Sequence, residues 1–234
     1  MRFLKFLVAL FVLIPLCIIF TRTAGLALFG TWPALFDWER PWFYCFLSGM
    51  AVWTLVFFLL PRPMWVYVFG HELTHALWAW LFGGKIFEMK VTAEGGLVRT
   101  DKSNFLIVLA PYFFPVYVFL VLIGWFVAGL FFNLDGYLPG LFFLLGAAYG
   151  FHITFTAMMI PMVQSDITSQ GWLFSLSTIF LLNLLPLAVF LLALVPDTDW
   201  ALLPLLLRDS AVWFVKKCDA AITLIANFLA GRGG

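Results

Sequence analysis

The chain has 234 residues, is 64% hydrophobic and 11% charged, and carries a formal net charge of +1 with a mean hydropathy of +1.05. A soluble domain carries about a quarter charged residues and roughly half apolar ones, so this composition excludes an ordinary globular domain and reads as a polytopic membrane protein. The near-zero charge gives no footing for nucleic acid or a polybasic tail, and Cys17, Cys45 and Cys218 form no CxxC pair, so they read as small apolar packing residues.

A span needs about 20 mostly apolar residues. The first is Phe3–Phe20, interrupted by Lys5 and Pro15. Arg2 and Lys5 before a short apolar run also suit a signal peptide, but no clean small-x-small cleavage site follows, and an uncleaved first helix is the reading preferred. Residues 21–41 read as an amphipathic or interfacial connection, with tryptophans suited to the headgroup zone. The second span is Trp42–Leu60, stopped by Pro61-Arg62-Pro63. The third is Met64–Phe82, closed by Gly83-Gly84.

Residues 85–103 are too polar to span. They partly alternate in character around Gly95-Gly96, which predicts a β-hairpin formed from Lys85–Glu94 and Leu97–Thr100. Asn104–Phe132 gives a fourth span, bent by Pro111 and Pro115. Leu138–Pro161 and Trp172–Val195 give the fifth and sixth, and 197–234 reads as an interfacial helical tail. In sum, the sequence predicts one all-α polytopic membrane domain over 1–234, with about six transmembrane helices and a short hairpin insertion. The basic residues divide almost evenly between the two sides, so the positive-inside rule assigns no orientation.

The chemistry sits in the third span. His71 and His75 are four residues apart, on one helical face one turn from each other, a spacing that lets two imidazoles hold one Zn²⁺. Glu72 follows the first histidine, where its carboxylate can take a proton from a metal-activated water and later return it. The chain has only three His and four Glu, so HExxH should arise by chance in roughly one shuffle in a thousand. Ionisable groups inside a span are costly, which favours function over incidental hydrogen bonding.

A catalytic zinc takes three protein ligands and one open position. His152, deep in the fifth span, and Asp166, just past its end, are the two candidates for the third. Glu88, Glu94 and Asp101 in the hairpin region read as solvated charges. Spans three and five run the same way, so their C-terminal ends share a side. A break at Pro161 can return Asp166 towards the metal, in a run of polar residues (Gln164 to Gln170) that a hydrated cavity would need.

"HELTHALWAWLFGG", a hairpin, and then "IPMVQSD" resemble the site-2 protease family of intramembrane zinc metalloproteases, over about residues 64–170. The resemblance implies that His71, His75 and Asp166 are zinc ligands, that Glu72 activates water, and that Pro161 is the motif proline. His152 then orients a ligand or stabilises an oxyanion. The family pattern places an asparagine before the proline and a glycine after the aspartate. Met158 and Ile167 stand there instead, and Asn183 in the sixth span is the one candidate substitute for the asparagine. An exposed strand edge can hold an unwound substrate by strand addition, and Val91, Leu97 and Val98 are the candidate residues of that edge.

The expected function is hydrolysis of peptide bonds in or near a transmembrane segment of a partner protein, in a lipid bilayer that is expected to be a bacterial cytoplasmic membrane. The competing readings are a membrane zinc hydrolase acting on non-peptide bonds, and a catalytically inactive relative that binds membrane proteins. Trp78 and Phe82 continue the face of the two histidines and should pack around the site. Gly146, Ala147, Ala148 and Gly150 suit close helix contact.

Overall fold

The computed structural model describes residues 2–36, 41–92, 94–162, 164–195 and 198–230. Its elements are α1 (Arg2–Val8), a π turn (Ala9–Leu13), α2 (Ile14–Leu35), α3 (Trp42–Leu59), α4 (Met64–Leu81), β1 (Ile86–Val91), β2 (Gly96–Thr100), α5 (Phe105–Phe113), α6 (Val116–Gly129), a 3₁₀ turn (Asp135–Tyr137), α7 (Leu138–Met159), α8 (Ser165–Gln170), α9 (Trp172–Ala193) and α10 (Leu202–Ala230). The fold is that of a mostly helical polytopic membrane protein with one small antiparallel hairpin.

Among the described residues, four helical stretches are long and apolar enough to cross a membrane: Arg2–Leu35, Trp42–Leu59, Asp135–Met159 and Trp172–Ala193. The bent pair α5 and α6, a broken span or a re-entrant loop, brings the number to five when it is taken as one span. Helix α4 forms where the third of six spans is expected and has 18 residues, but His71, Glu72 and His75 lower its hydropathy and remove it from that count. The polarity that marks the site is what hides its helix from a hydropathy test.

Residues 21–35 correct the expectation of an interfacial connection: the first helical stretch runs unbroken for 34 residues, to Leu35. Pro15 lacks the N–H that would bond the Phe11 carbonyl, and the chain widens just before it into the π turn, where Ile14 N–H donates to Ala9 O. The helix absorbs the proline instead of ending at it. Residues 37–40 and 196–197, where the readings placed a connection and a polar break, lie outside the described residues.

The chain divides into two compact units. The first holds Met1–Leu35 and Phe180–Gly234. Within it α10 packs on α2: Arg22 Nη1 donates to Ser210 Oγ at 3.0 Å, and its guanidinium lies 5.1 Å from the Trp213 ring centroid. The expected helical tail is thus realised as α10, Leu202–Ala230.

The second unit, Phe36–Ile179, contains every residue of HExxH together with Asp166. Its most extensive helix pairing is α3 against α7. Small residues make that closeness possible. A Cβ on Gly49 would strike the Phe143 carbonyl, and one on Gly146 the Phe46 carbonyl, so backbone meets backbone at both points. Trp53 Nε1 donates across the same pair to Thr154 Oγ1 at 2.9 Å. Phe57, Phe151 and Phe155 form the buried cluster beside it, against which Tyr67 and Met158 pack.

The bend of the fourth span is as expected, 73° between α5 and α6, but the break falls at Phe114-Pro115 and leaves Pro111 inside α5. Asn104 caps α5, its side-chain oxygen accepting from Ile107 N–H at 2.9 Å. The hairpin is also as expected, with Val91 opposite Gly96, Lys90 opposite Leu97 and Met89 opposite Val98, and a bulge near Phe87. Gly96 begins β2 and does not belong to the turn. The hairpin base is closed by Asp101 Oδ1, which accepts from Lys85 N–H at 2.7 Å.

Candidate metal centre

Three donor atoms from two distant parts of the chain converge. His71 Nε2 lies 3.3 Å from Asp166 Oδ2, His75 Nε2 lies 3.5 Å from the same oxygen, and the two imidazole nitrogens are 3.2 Å apart. Helix α4 supplies the histidines one turn apart. After α7 ends at Met159, the chain turns back into the short α8, whose first turn carries Asp166. Ile167 is 1% exposed and its carbonyl accepts from Ser175 Oγ at 2.9 Å, so α8 is anchored at the residue next to the aspartate.

The chemistry of this donor set fits zinc. The Ile107 carbonyl lies 2.9 Å from His75 Nδ1. A carbonyl only accepts, so Nδ1 carries the hydrogen and the Nε2 lone pair points into the cluster. His71 turns its Nδ1 to Tyr67 Oη at 3.2 Å and its Nε2 inward. Two imidazole lone pairs and a carboxylate oxygen facing one another repel unless a cation lies among them. Tetrahedral zinc with bonds of about 2.0–2.1 Å sets its ligands ~3.3 Å apart, the separation of these three atoms.

Around the cluster opens a cavity of about 470 Å³, lined among others by His71, Glu72, His75 and Asp166. Glu72 is 7% exposed. It lies beneath the hairpin: a Cβ added to Gly96 would come within 2.7 Å of Glu72 Cδ and Oε1. Leu97 and Val98 of β2 line the cavity, whereas Val91 on β1 is not among its described lining residues. Glu94, read from the sequence as a solvated charge, contributes to the lining too. Glu88 instead pairs with Lys90 at 2.7 Å.

His152 stands apart from the three converging donor atoms. It is 8% exposed and lines a separate cavity of about 20 Å³, room for a single water, with His71 and Thr74 on its wall. Asn183 belongs to the first unit. Met158, in the expected asparagine position, packs with Tyr67 against the Phe57–Phe155 cluster. Trp78 packs on Phe113 and Phe114, at the bend between α5 and α6, instead of lining the cavity.

Sequence reading missed two tyrosines. Tyr67 stacks on Phe155 at 4.7 Å and reaches His71, and Tyr112 Oη donates to Asp166 Oδ2 at 3.3 Å with its ring edge-on to His71. Tyr67 was within reach of a sequence argument, since it precedes His71 by four residues on the same helix face. Tyr112 comes from another element and had no local signal.

Residues 44–130 match the family model described as Peptidase M50B-like, which runs from α3 through the hairpin to the end of α6. The match is a likeness to membrane-embedded metallopeptidases over that segment. It contains HExxH and ends before Asp166, so the aspartate's part rests on the geometry alone. Neither the curated proteins nor the solved structures yield a match.

Proposed function

We propose that this membrane protein is a metallopeptidase of the site-2 protease type, an intramembrane zinc endopeptidase. His71, His75 and Asp166 would hold the metal, and its substrates are peptide bonds in or near transmembrane segments of partner proteins. The observation that carries the reading is the convergence of the three donor atoms at 3.2–3.5 Å, in the cavity that Glu72 also lines.

A bound zinc supplies Lewis-acid chemistry, polarising the scissile carbonyl and lowering the pKa of water. Glu72, through its Oε atoms, takes the proton of the attacking water and delivers it to the leaving amide nitrogen. Its burial under the hairpin excludes bulk water and keeps the carboxylate aimed into the cavity. His75 is held in its tautomer by the Ile107 carbonyl, and the His71 ring by Tyr67. The outer edge of β2, with Leu97 and Val98 on the cavity wall, would receive an unwound substrate as an added strand. This arrangement suits an extended peptide. A bacterial cytoplasmic membrane is the proposed setting.

Purified protein should carry about one zinc per chain. His71→Ala should lose it, while Glu72→Gln should keep the metal and lose peptide cleavage. Zinc retained with full activity in Glu72→Gln would overturn the peptidase reading. A Glu72→Gln chain that still performs the cellular role would mark a non-catalytic membrane-protein binder, and hydrolysis of non-peptide amides alone would mark a different hydrolase.

A further inference from the structure

We propose that helix α5 presets the metal centre, through the Ile107 carbonyl that Pro111 leaves free and through the Tyr112 hydroxyl. This inference rests on the zinc reading of His71, His75 and Asp166.

In an uninterrupted helix the Ile107 carbonyl accepts from the N–H of residue 111. Pro111 has no N–H, and a proline ring also pushes the carbonyl four residues back off the helix axis. The consequence is a carbonyl with no helical partner at position i+4, in a buried place where an orphan acceptor is costly. His75 Nδ1–H occupies it at 2.9 Å. Ile107 is fixed from its other side as well, because its N–H donates to Asn104 Oδ1 at 2.9 Å. A cap at one end and a proline in the middle thus leave one backbone carbonyl rigidly aimed at a metal-binding imidazole.

Next along the same helix, Tyr112 is 1% exposed and its hydroxyl donates to Asp166 Oδ2 at 3.3 Å. Ile167 anchors the α8 backbone beside the aspartate, and Tyr112 holds the carboxylate itself. One helix therefore orients a ligand from α4 and a ligand from α8, two elements that meet at the metal. Pro111 acts as a positioning residue through Ile107, and Tyr112 positions Asp166 directly. The bend that shapes the span falls at Phe114-Pro115 and leaves Pro111 with this separate use.

The test measures zinc affinity of the detergent-solubilised full chain by competition with a chromogenic chelator, without reference to catalysis. Tyr112→Phe, which keeps the ring, and Pro111→Ala, which returns the helical N–H, should each weaken zinc binding about tenfold or more. Pro111→Gly returns the same N–H and replaces the alanine variant if that variant does not fold. In an Asp166→Ala background, Tyr112→Phe should add nothing, whereas Pro111→Ala should still weaken binding. A purely structural role for Tyr112 would not produce that coupling. Affinities within twofold of the parent for both variants would overturn the inference while leaving the zinc site standing. A parent chain that binds no zinc would overturn the site itself.

Discussion

Gly96→Ala is the most economical probe of how the hairpin meets the Glu72 carboxylate. An alanine Cβ at this position would collide with Glu72 Cγ and lie 2.7 Å from Cδ and Oε1, and ordinary contact begins at 3.4 Å, so the two must separate by more than ~0.7 Å. Gly96 has no positive φ, so the backbone accepts alanine without strain, and all the adjustment falls on Glu72 or on the seating of β2. Overpacking costs about 1–3 kcal/mol, and replacing glycine returns about 0.4–1 kcal/mol through the unfolded chain, so the net loss of stability should be small. Catalysis should suffer more, because a displacement near 1 Å of a reacting group costs about a hundredfold. The expected outcome is a fall of roughly ten- to a hundredfold in kcat on a fluorogenic peptide bearing one apolar span, with zinc content unchanged. The assay pairs that rate with zinc analysis and a thermal melt of the same preparation. A variant that cleaves at the parental rate would refute the idea that the hairpin's approach sets the position of Glu72.

Other substitutions separate the remaining parts of the argument. Gly146→Ala would press a Cβ into the Phe46 carbonyl and should cost about 1–3 kcal/mol in detergent unfolding, because backbone cannot yield as a side chain can. Gly140→Ala on the same helix meets nothing within 4 Å and should be neutral or stabilising by up to ~1 kcal/mol. Asp166→Ala should lose zinc on dialysis while His152→Ala keeps it, and the reverse result would transfer the third-ligand role to His152. Arg22→Met removes both the Ser210 hydrogen bond and the Trp213 contact, so it should loosen α10 by about 2 kcal/mol, read as faster proteolysis within residues 202–230.

What could be read from the sequence followed the range of the interactions. His71, Glu72 and His75 declare themselves because their spacing is the helical repeat, and the hairpin because its alternation brackets paired glycines. Even Asp166 was reachable, since two parallel spans must place their C-terminal ends on one side. The contacts of α5 were not. Pro111 was legible as a bend-maker, yet α5 continues through it, and its effect is to leave one carbonyl for a histidine 32 residues earlier. Residues 21–35 misled for a related reason: their polar and aromatic character suits an interface, but nothing in them stops a helix already running.

The two departures from the family pattern near Asp166 find their explanation in packing. A glycine after the aspartate would leave α8 little to hold it, whereas Ile167 is buried and its carbonyl is tied to Ser175. Met158 packs against the same aromatic cluster as Tyr67, which stacks on Phe155 and reaches His71. Both residues therefore make apolar contact where the pattern has a polar or flexible residue, and neither brings the polar group an asparagine would offer substrate. That trade makes a specific demand: substrate backbone must be held elsewhere, and the strand edge at Leu97 and Val98 is the part of the cavity wall suited to it. Val98→Pro, which removes one outward-facing N–H from β2, should then raise KM with metal content intact, whereas the same proline at Val91, whose N–H faces outward from β1, should leave KM unchanged.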